Sequence, residues 1–449
     1  MNARVLIAAI ASNSGKTTLT LALLSAFRKR GLELSSFKQG PDYLDPQLHR
    51  EMLGISSYNL DSIFLDRAAL RAHLADKSKE LSIVEGAMGF YDGVGDESRG
   101  SSYELAKWTD TPVILVIDAK SQGQSLAAIV HGFKTYREDS NIQGVIFNRT
   151  NAMRYPELKR LCESSGVSVY GYFPEEERIR IASQYLGLTI PEKELQIETI
   201  QELGRIAEEY LDVEGILRLA QMAPALGAKK MELPKSSSFK VGIARDQAFS
   251  FLYQENIECL LELGAEIVYF SPLLDRCIDP NIDALYLPGG YPEQYAQALS
   301  ENVSMRSSLR AKLDEGLPCI AEGGGFLYLH ECLENYPMLG SVPAEAKRTE
   351  KIQGFGYHEL EIEKKALIGI KGRKIPSRRY HYCKSSNAGS DYLAKRISSG
   401  RVSESGYAGE RLYASFFTLY FPTIPEEMLV FRDKALEYQA EKKEKIDEE

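Results

Sequence analysis

The stretch RVLIAAI at 4–10 is apolar without alternation, and SGKTTLTLALLSAFRKRG then takes a helical period that ends at Gly31. A strand apolar on both faces, a Ser/Gly turn and a helix, in that order, leave few folds open. Such a strand must be covered on both sides, which calls for helices flanking a parallel sheet. The alternation continues with LSIVEGA at 81–87, TPVILVIDA at 111–119 and IQGVIFNRT at 142–150, between helical segments such as SLAAIVHGFKTYRED. These elements predict an α/β domain. A second series begins at KVGIARD (240–246) and runs through AEIVYFSP, IDALYLPGG and LPCIAEGGG. It predicts a second α/β domain with its own parallel sheet.

At 449 residues the chain is too long for one ordinary core. ELPKSSSFK at 232–240 reads as a linker, because it is polar and carries Pro and Ser. The expected boundaries are therefore 1–231, a linker at 232–240, a second domain at 241–435 and a charged tail at 436–449. A net charge of −9 argues against nucleic acid as the main partner, since phosphate backbones want a basic face. Six cysteines form no CxxC pair and no metal-finger spacing, and read as reduced thiols. VLIAAIA is too short for a signal peptide or a membrane span, and no later window reaches the length of a span. The expectation is a soluble, cytoplasmic chain.

ASNSGKTT at 11–18 ends in the GKT of a phosphate loop. Backbone N–H groups of such a turn, aided by the helix dipole, hold phosphate oxygens; the lysine adds positive charge and the threonine hydroxyl reaches Mg²⁺. Asn13, Ser14, Gly15, Lys16, Thr17 and Thr18 are the candidate nucleotide-binding residues. The first glycine of the usual pattern is absent, since Ile10 stands six residues before Lys16. FKQGPDYLDP places Lys38, Asp42 and Asp45 just after the second strand, and VEGAMGFYDG puts Glu85 at a strand's end with Asp92 beyond it. In open α/β sheets ligands gather outside the carboxyl ends of the strands, so these groups share one rim with the phosphate loop. Carboxylates there can hold the metal that bridges nucleotide phosphates.

SNSGKTT, FKQGPDYLDP, YNLDSIFL, VEGAMGFYDG, FNRT and YLGL, in that order, resemble the cobyrinic acid a,c-diamide synthases. In the second half ARDQAFSFLYQEN, FSPL, YLPGGYPE, AEGGGFLYL, GFGYHE and YHY continue the match. The resemblance covers nearly the whole chain. It implies a P-loop NTPase-like, dethiobiotin-synthetase-like domain followed by a class I glutaminase-like domain. It also implies ATP and Mg²⁺ as cofactors, with a tetrapyrrole carboxylate as substrate. Carried over by motif, Lys16, Thr17 and Glu85 resemble the ATP–Mg²⁺ groups, with Asp45 beside them on the metal side. Lys38, Asp42, Asp45 and Asp92 are the implied catalytic and intermediate-binding groups, Tyr43 and Leu44 substrate contacts, and Asn148 the reader of adenine. Asn13 stands where the family usually has glycine, and Asn tolerates positive φ best among the other residues. The family also allows a homodimer, which no residue here reads out.

In the family a cysteine on the strand–helix turn attacks glutamine and a downstream histidine takes its proton. The usual AECGG is Ala321-Glu322-Gly323-Gly324-Gly325 here, and Thr418 in ASFFTLYF occupies the histidine slot. No histidine follows His381. Glycine offers no nucleophile and threonine no base near neutral pH. Cys319 lies four residues upstream within the strand, too far back to substitute. The sequence therefore predicts an amide synthase fed by ammonia or by a separate glutaminase. Two alternatives compete with it: a non-catalytic or regulatory paralogue, and an enzyme amidating sirohydrochlorin or siroheme, whose amidating enzymes share these motifs.

Overall fold

The computed structural model describes residues 3–120, 122–164, 166–175, 193–227 and 238–448. The chain forms two compact units, Met1–Met231 and Glu232–Glu449. YLGL at 185–188, most of the linker reading at 232–237 and the last residue of the tail lie outside the described residues.

The N-terminal unit runs β1(Ala3–Ala9), α1(Lys16–Lys29), β2(Leu34–Gln39), α2(Leu44–Leu53), β3(Ser56–Leu60), α3(Arg67–Lys77) and β4(Leu81–Glu85). It continues with α4(Ser102–Thr109), β5(Val113–Asp118), α5(Ser125–Tyr136), β6(Ile142–Thr150), α6(Tyr155–Glu163), β7(Ser168–Pro174), α7(Lys193–Tyr210) and α8(Val213–Gln221). The strands form one sheet in the order β3-β2-β4-β1-β5-β6-β7, and every neighbouring pair is parallel. β1 is buried along its whole length, as a strand covered on both faces must be. Leu19, Leu23 and Phe27 of α1 join Leu203, Ile206 and Ala207 of α7 in one buried cluster with the sheet. The order turns back on itself around β1, so the carboxyl ends of β1, β2, β4, β5 and β6 define the rim where a ligand site is expected.

β2 (LSSFKQ) and β3 (SSYNL) are polar in sequence and almost wholly buried. Register explains how. Ser35 pairs with Ser82 and Ser36 with Ser57 across adjacent strands, and their hydroxyls bond at 2.9 and 2.7 Å. Buried hydroxyls that satisfy one another avoid the desolvation cost of an unpaired group.

The C-terminal unit opens with β8(Phe239–Ala244), α9(Gln254–Glu262), β9(Ala265–Phe270), β10(Ala284–Leu287), α10(Ala296–Glu301), α11(Val303–Asp314), β11(Cys319–Glu322) and α12(Gly324–Tyr328). Then follow β12(His330–Leu333), β13(Tyr336–Pro337), β14(Val342–Arg348), β15(Gly354–Glu361), β16(Ile375–His381), β17(Cys383–Ser385), β18(Tyr392–Arg396) and β19(Val402–Ser405). The unit closes with β20(Tyr407–Ala408), β21(Leu412–Ser415), β22(Phe417–Leu419) and α13(Pro425–Glu448). Its central sheet, β20-β21-β11-β10-β8-β9, is parallel apart from β20. Two further sheets, β13-β12-β14-β17 and the antiparallel β19-β18-β15-β16-β22, have no counterpart in the apolar-run reading. Their strands alternate exposed and buried residues, so no continuous apolar run marks them.

Two boundaries differ from expectation. Residues 239 and 240, placed in the linker, begin β8, where Phe239 is buried. No break separates a domain ending at 435 from a tail beginning at 436, because α13 runs through both. Tyr438 is buried, Glu441 pairs with Arg411, and Lys442 reaches Asp283 at 2.8 Å. Those contacts tie the first part of the charged segment to the unit's core.

Candidate active sites

The first site grows from the end of β1. Gly15 has φ 98°, a left-handed conformation, and a Cβ there would lie 2.1 Å from the Asn148 side-chain nitrogen. Only glycine fits. Asn148, near the end of β6, donates from its amide to the Ser14 carbonyl at 2.9 Å, while Arg149 donates to the Asn13 carbonyl at 3.0 Å. Arg149 is itself paired with Asp118 at 2.7 Å. Asn13 takes φ 63°, the positive value expected where asparagine replaces glycine. No side chain caps α1, so the first N–H groups of the helix are left for a ligand. Thr18 stands half-buried in that first turn. Asn148 is 6% exposed and also accepts from the Arg149 N–H, so an adenine contact would have to share an amide already holding the loop.

Lys16 reaches back to the carbonyls of Ala11 and Met88. Burial, with Lys38 nearby, lowers its ammonium to about 8, and carboxylates around it work the other way. The Thr17 hydroxyl donates to Glu85 Oε1 at 2.6 Å. Register then matters, because Lys38 and Glu85 are partners in adjacent strands β2 and β4. Lys38 Nζ lies 2.6 Å from Glu85 Oε1 and 2.6 Å from Asp45 Oδ2. Burial opposes its charge, but Asp45, Glu85 and Asp42 outweigh that and push its pKa up. Burial raises the Asp45 carboxyl against the pull of Lys38. Thr17, Glu85, Lys38 and Asp45 thus form one bonded chain across the rim beside Lys16.

The remaining candidates do local work. Asp42 Oδ1 accepts from the N–H groups of Leu44 and Asp45 at 2.9 and 3.1 Å and so starts α2. Tyr43 is buried and Leu44 half-buried. Asp92 Oδ2 accepts from the Gly89 N–H at 2.9 Å, fixing the turn that presents the Met88 carbonyl to Lys16. Sequence reasoning missed Gln39, whose carbonyl accepts from the Ala87 N–H and the Ser102 hydroxyl, and also His49. His49 is fully buried, and burial lowers its pKa to about 4. Its spacing from Asp45, four residues on one helix, was the available signal.

Hard oxygen donors from Thr17, Glu85 and Asp45 suit Mg²⁺, which keeps several waters and takes one or two carboxylates beside substrate phosphates. Among the described residues no three His, Cys, Asp or Glu side chains gather into a ready-made cation cage. Within the bonded chain it is the Lys38 ammonium that links Glu85 to Asp45.

The second site lies where β11 turns into α12. Gly323 has φ 49° and ψ −104°, and its N–H donates to the Ser415 carbonyl at 2.8 Å. A Cβ at Gly323 would meet Gly289 Cα at 3.6 Å and Thr418 Cγ2 at 3.9 Å, which is ordinary contact. The next glycines differ, since a Cβ on Gly325 would fall 2.0 Å from the Leu287 carbonyl oxygen. The backbone around the slot is tied down. Buried Glu322 accepts from the Leu419 N–H at 2.8 Å and the Tyr286 hydroxyl at 3.0 Å. Asn256 donates to the Leu419 carbonyl at 3.0 Å and accepts from the Phe421 N–H at 2.8 Å. Burial pushes the Glu322 carboxyl up to about 8.

No titratable side chain occupies this frame's reactive positions. The Thr418 hydroxyl donates to the Arg378 carbonyl at 3.2 Å. His381 stacks on Phe416, bonds the Cys383 carbonyl through Nδ1 and accepts from Arg379 through Nε2. His330 is likewise engaged at both ring nitrogens, by the Phe326 carbonyl and Ser385. Cys319 is fully buried in β11, and burial pushes its thiol well up. At about 3.3 Å per residue along a strand, it sits roughly 13 Å behind Gly323.

Fold and sites together define a protein that joins a P-loop-type nucleotide-binding domain to a glutamine-amidotransferase-type domain. The CobQ/CobB/MinD/ParA nucleotide binding domain matches residues 5–188, and the CobB/CobQ-like glutamine amidotransferase domain matches residues 240–404. The cobyrinate a,c-diamide synthase of Listeria monocytogenes serotype 4b (strain F2365) is 36% identical over 435 residues, covering 93% of this chain and 96% of that protein. The enzyme of the same name from Clostridium tetani is 37% identical over 386 residues, covering 84% and 86%. That from Caldanaerobacter subterraneus subsp. tengcongensis is 34% identical over 443 residues, covering 96% and 97%. The chain belongs to the cobyrinate a,c-diamide synthase family. No helix among the described residues is long and apolar enough to cross a membrane.

Proposed function

We propose that the chain is an ATP-dependent carboxylate–ammonia ligase that amidates tetrapyrrole side chains in cobalamin biosynthesis and draws on ammonia rather than its own glutaminase. The observation that carries this is the bonded chain Thr17–Glu85–Lys38–Asp45 beside Lys16, set at the carboxyl rim of a parallel sheet. A carboxylate becomes an acyl phosphate when it attacks the γ-phosphate of ATP, and ammonia then displaces phosphate to leave an amide. Negative charge accumulates on the phosphoryl oxygens, so preorganised positive groups lower the barrier. The loop N–H groups and Lys16 would bind the phosphates. Thr17, Glu85 and Asp45 would hold Mg²⁺, which would add positive charge beside the phosphates. Lys38 balances the acids and stands where it can meet an incoming carboxylate.

The second site supports the nitrogen source. A frame that holds the nucleophile slot and the base slot in place, with glycine and threonine in them, offers no thiolate and no base for glutamine hydrolysis. The same fold leaves the C-terminal unit as a scaffold or a docking surface for an ammonia supplier. Cobyrinic acid is the first substrate to test, with sirohydrochlorin as the related alternative. Incubation with cobyrinic acid, ATP, Mg²⁺ and ammonium should form amide and ADP together. ADP formation without any amide, across both tetrapyrroles, would reject the ligase reading.

A further inference from the structure

Helix α2 carries Asp45 and His49 one turn apart, so the helix that aims Asp45 at Lys38 also aims His49 at the end of β4. The ring is fully buried, with Nδ1 3.0 Å from Ser36 Oγ and 3.4 Å from Ser57 Oγ. Those hydroxyls bond to each other at 2.7 Å, and the pair fixes the ring's orientation. On the far side, His49 Nε2 stands 4.0 Å from Glu85 Oε2. Both atoms are buried, and neither has a hydrogen-bond partner among the described residues. Glu85 Oε1, in contrast, takes both the Thr17 hydroxyl and the Lys38 ammonium. The two ends of one carboxylate are thus treated differently, and the unsatisfied end faces a fixed imidazole.

We propose that His49 is a positioning residue for Glu85, holding Oε2 so that Oε1 stays turned toward Thr17 and a divalent cation. Closing the gap by about 1 Å brings Nε2 within hydrogen-bond distance of Oε2. In that closure Nε2 carries the ring proton and donates it, while Nδ1 accepts from the serine pair. The proposal rests on the reading of Thr17 and Glu85 as cation-side groups. Partners that orient a metal-binding side chain typically change metal affinity by 10–100-fold when removed.

The test is Mn²⁺ binding by the full-length protein with a non-hydrolysable ATP analogue, followed by electron paramagnetic resonance. His49→Leu removes the contact. His49→Asn keeps an amide near Nδ1, and His49→Gln places one near Nε2. The Mn²⁺ Kd should rise about tenfold or more for Leu and Asn, and the Gln variant should bind much more like the unmodified protein. Unchanged binding in the Leu and Asn variants would overturn the proposal, and so would a Gln variant as weak as Leu. If circular dichroism shows the Leu variant unfolded, Ser36→Ala with Ser57→Ala decides, because freeing the ring should weaken Mn²⁺ binding and an unchanged Kd would refute it. Failure of the unmodified protein to bind Mn²⁺ with nucleotide would instead remove the cation-side reading itself.

Discussion

Gly15 and Gly323 hold matching places in the two units, each at a strand–turn–helix junction and each at positive φ. They are glycines for opposite reasons. At Gly15 a neighbouring side chain leaves no room for a Cβ, and that neighbour, Asn148, is what holds the phosphate loop. At Gly323 a Cβ would make only ordinary contact, with Gly289 and with Thr418. One glycine is demanded by the side chain packed against its loop, and the other leaves contact distance for a side chain at the turn. A glycine in sequence cannot tell these cases apart, because the difference lies in what the Cβ would touch.

The largest effect separating the two sites is expected from Lys16→Ala, which removes a positive group from the phosphates. Amidation should fall by about 10²–10³ or more. Measured ATP turnover near that of the unmodified protein would break the assignment of the first site.

Paired alanine substitutions sharpen the contrast next. Both positions carry backbone strain of about 1–3 kcal/mol for a non-glycine residue. Gly15→Ala must also displace Asn148, so nucleotide binding should be lost in calorimetry. Gly323→Ala should lower the melting temperature yet keep ammonium-dependent amidation. Equal loss of amidation in both variants would mean that the second frame takes part in the chemistry.

Glu85→Gln removes one charge from the Thr17–Glu85–Lys38 chain. The Mg²⁺ concentration for half-maximal rate should rise by about tenfold or more, which a Mg²⁺ titration of the rate reads directly. A smaller gain of function is expected from Gly323→Cys combined with Thr418→His, with glutamate release from glutamine as the readout. Either change alone should do little, since members of one catalytic unit act together.

The last effect falls on stability rather than activity, and it concerns pH. The folded C-terminal unit binds a proton on Glu322 up to about 8, whereas the unfolded chain releases it near 4.5. The stability this proton brings is fully present below 4.5 and is lost as pH rises toward 8. Glu322→Gln keeps an acceptor for the Leu419 N–H and does not titrate. The difference in melting temperature between the two proteins should therefore shift in favour of Gln as pH rises from 5 to about 8, and a constant difference would refute the buried-acid account.

Apolar runs made β1, β4, β5 and β6 legible in the sequence, and GKT made the phosphate loop legible. The buried serine-rich strands β2 and β3 were not, because their polarity is cancelled only by cross-strand partners. The acids at 42, 45, 85 and 92 could be placed on one rim, but not sorted. Register brought Lys38 to Glu85, whereas Asp42 and Asp92 hold backbone turns. His49 was hidden because an i,i+4 spacing from Asp45 has meaning only once α2 packs on β2 and β3 and turns both side chains toward Glu85 at the end of β4. The second site was legible mainly through the family resemblance; what the sequence could not show is how Glu322, Tyr286 and Asn256 tie down the backbone around Gly323.

The central claim is that one site works while the other is vacant, and the nitrogen source tests it most directly. Parallel reactions with cobyrinic acid, ATP and Mg²⁺ should be supplied with ammonium or with glutamine, and amide and glutamate measured in each. Amide formation with ammonium, and neither amide nor glutamate with glutamine, is the predicted result. Glutamate released in step with amide from glutamine alone would contradict it, because the C-terminal unit would then hold a nucleophile that neither Gly323 nor Thr418 supplies.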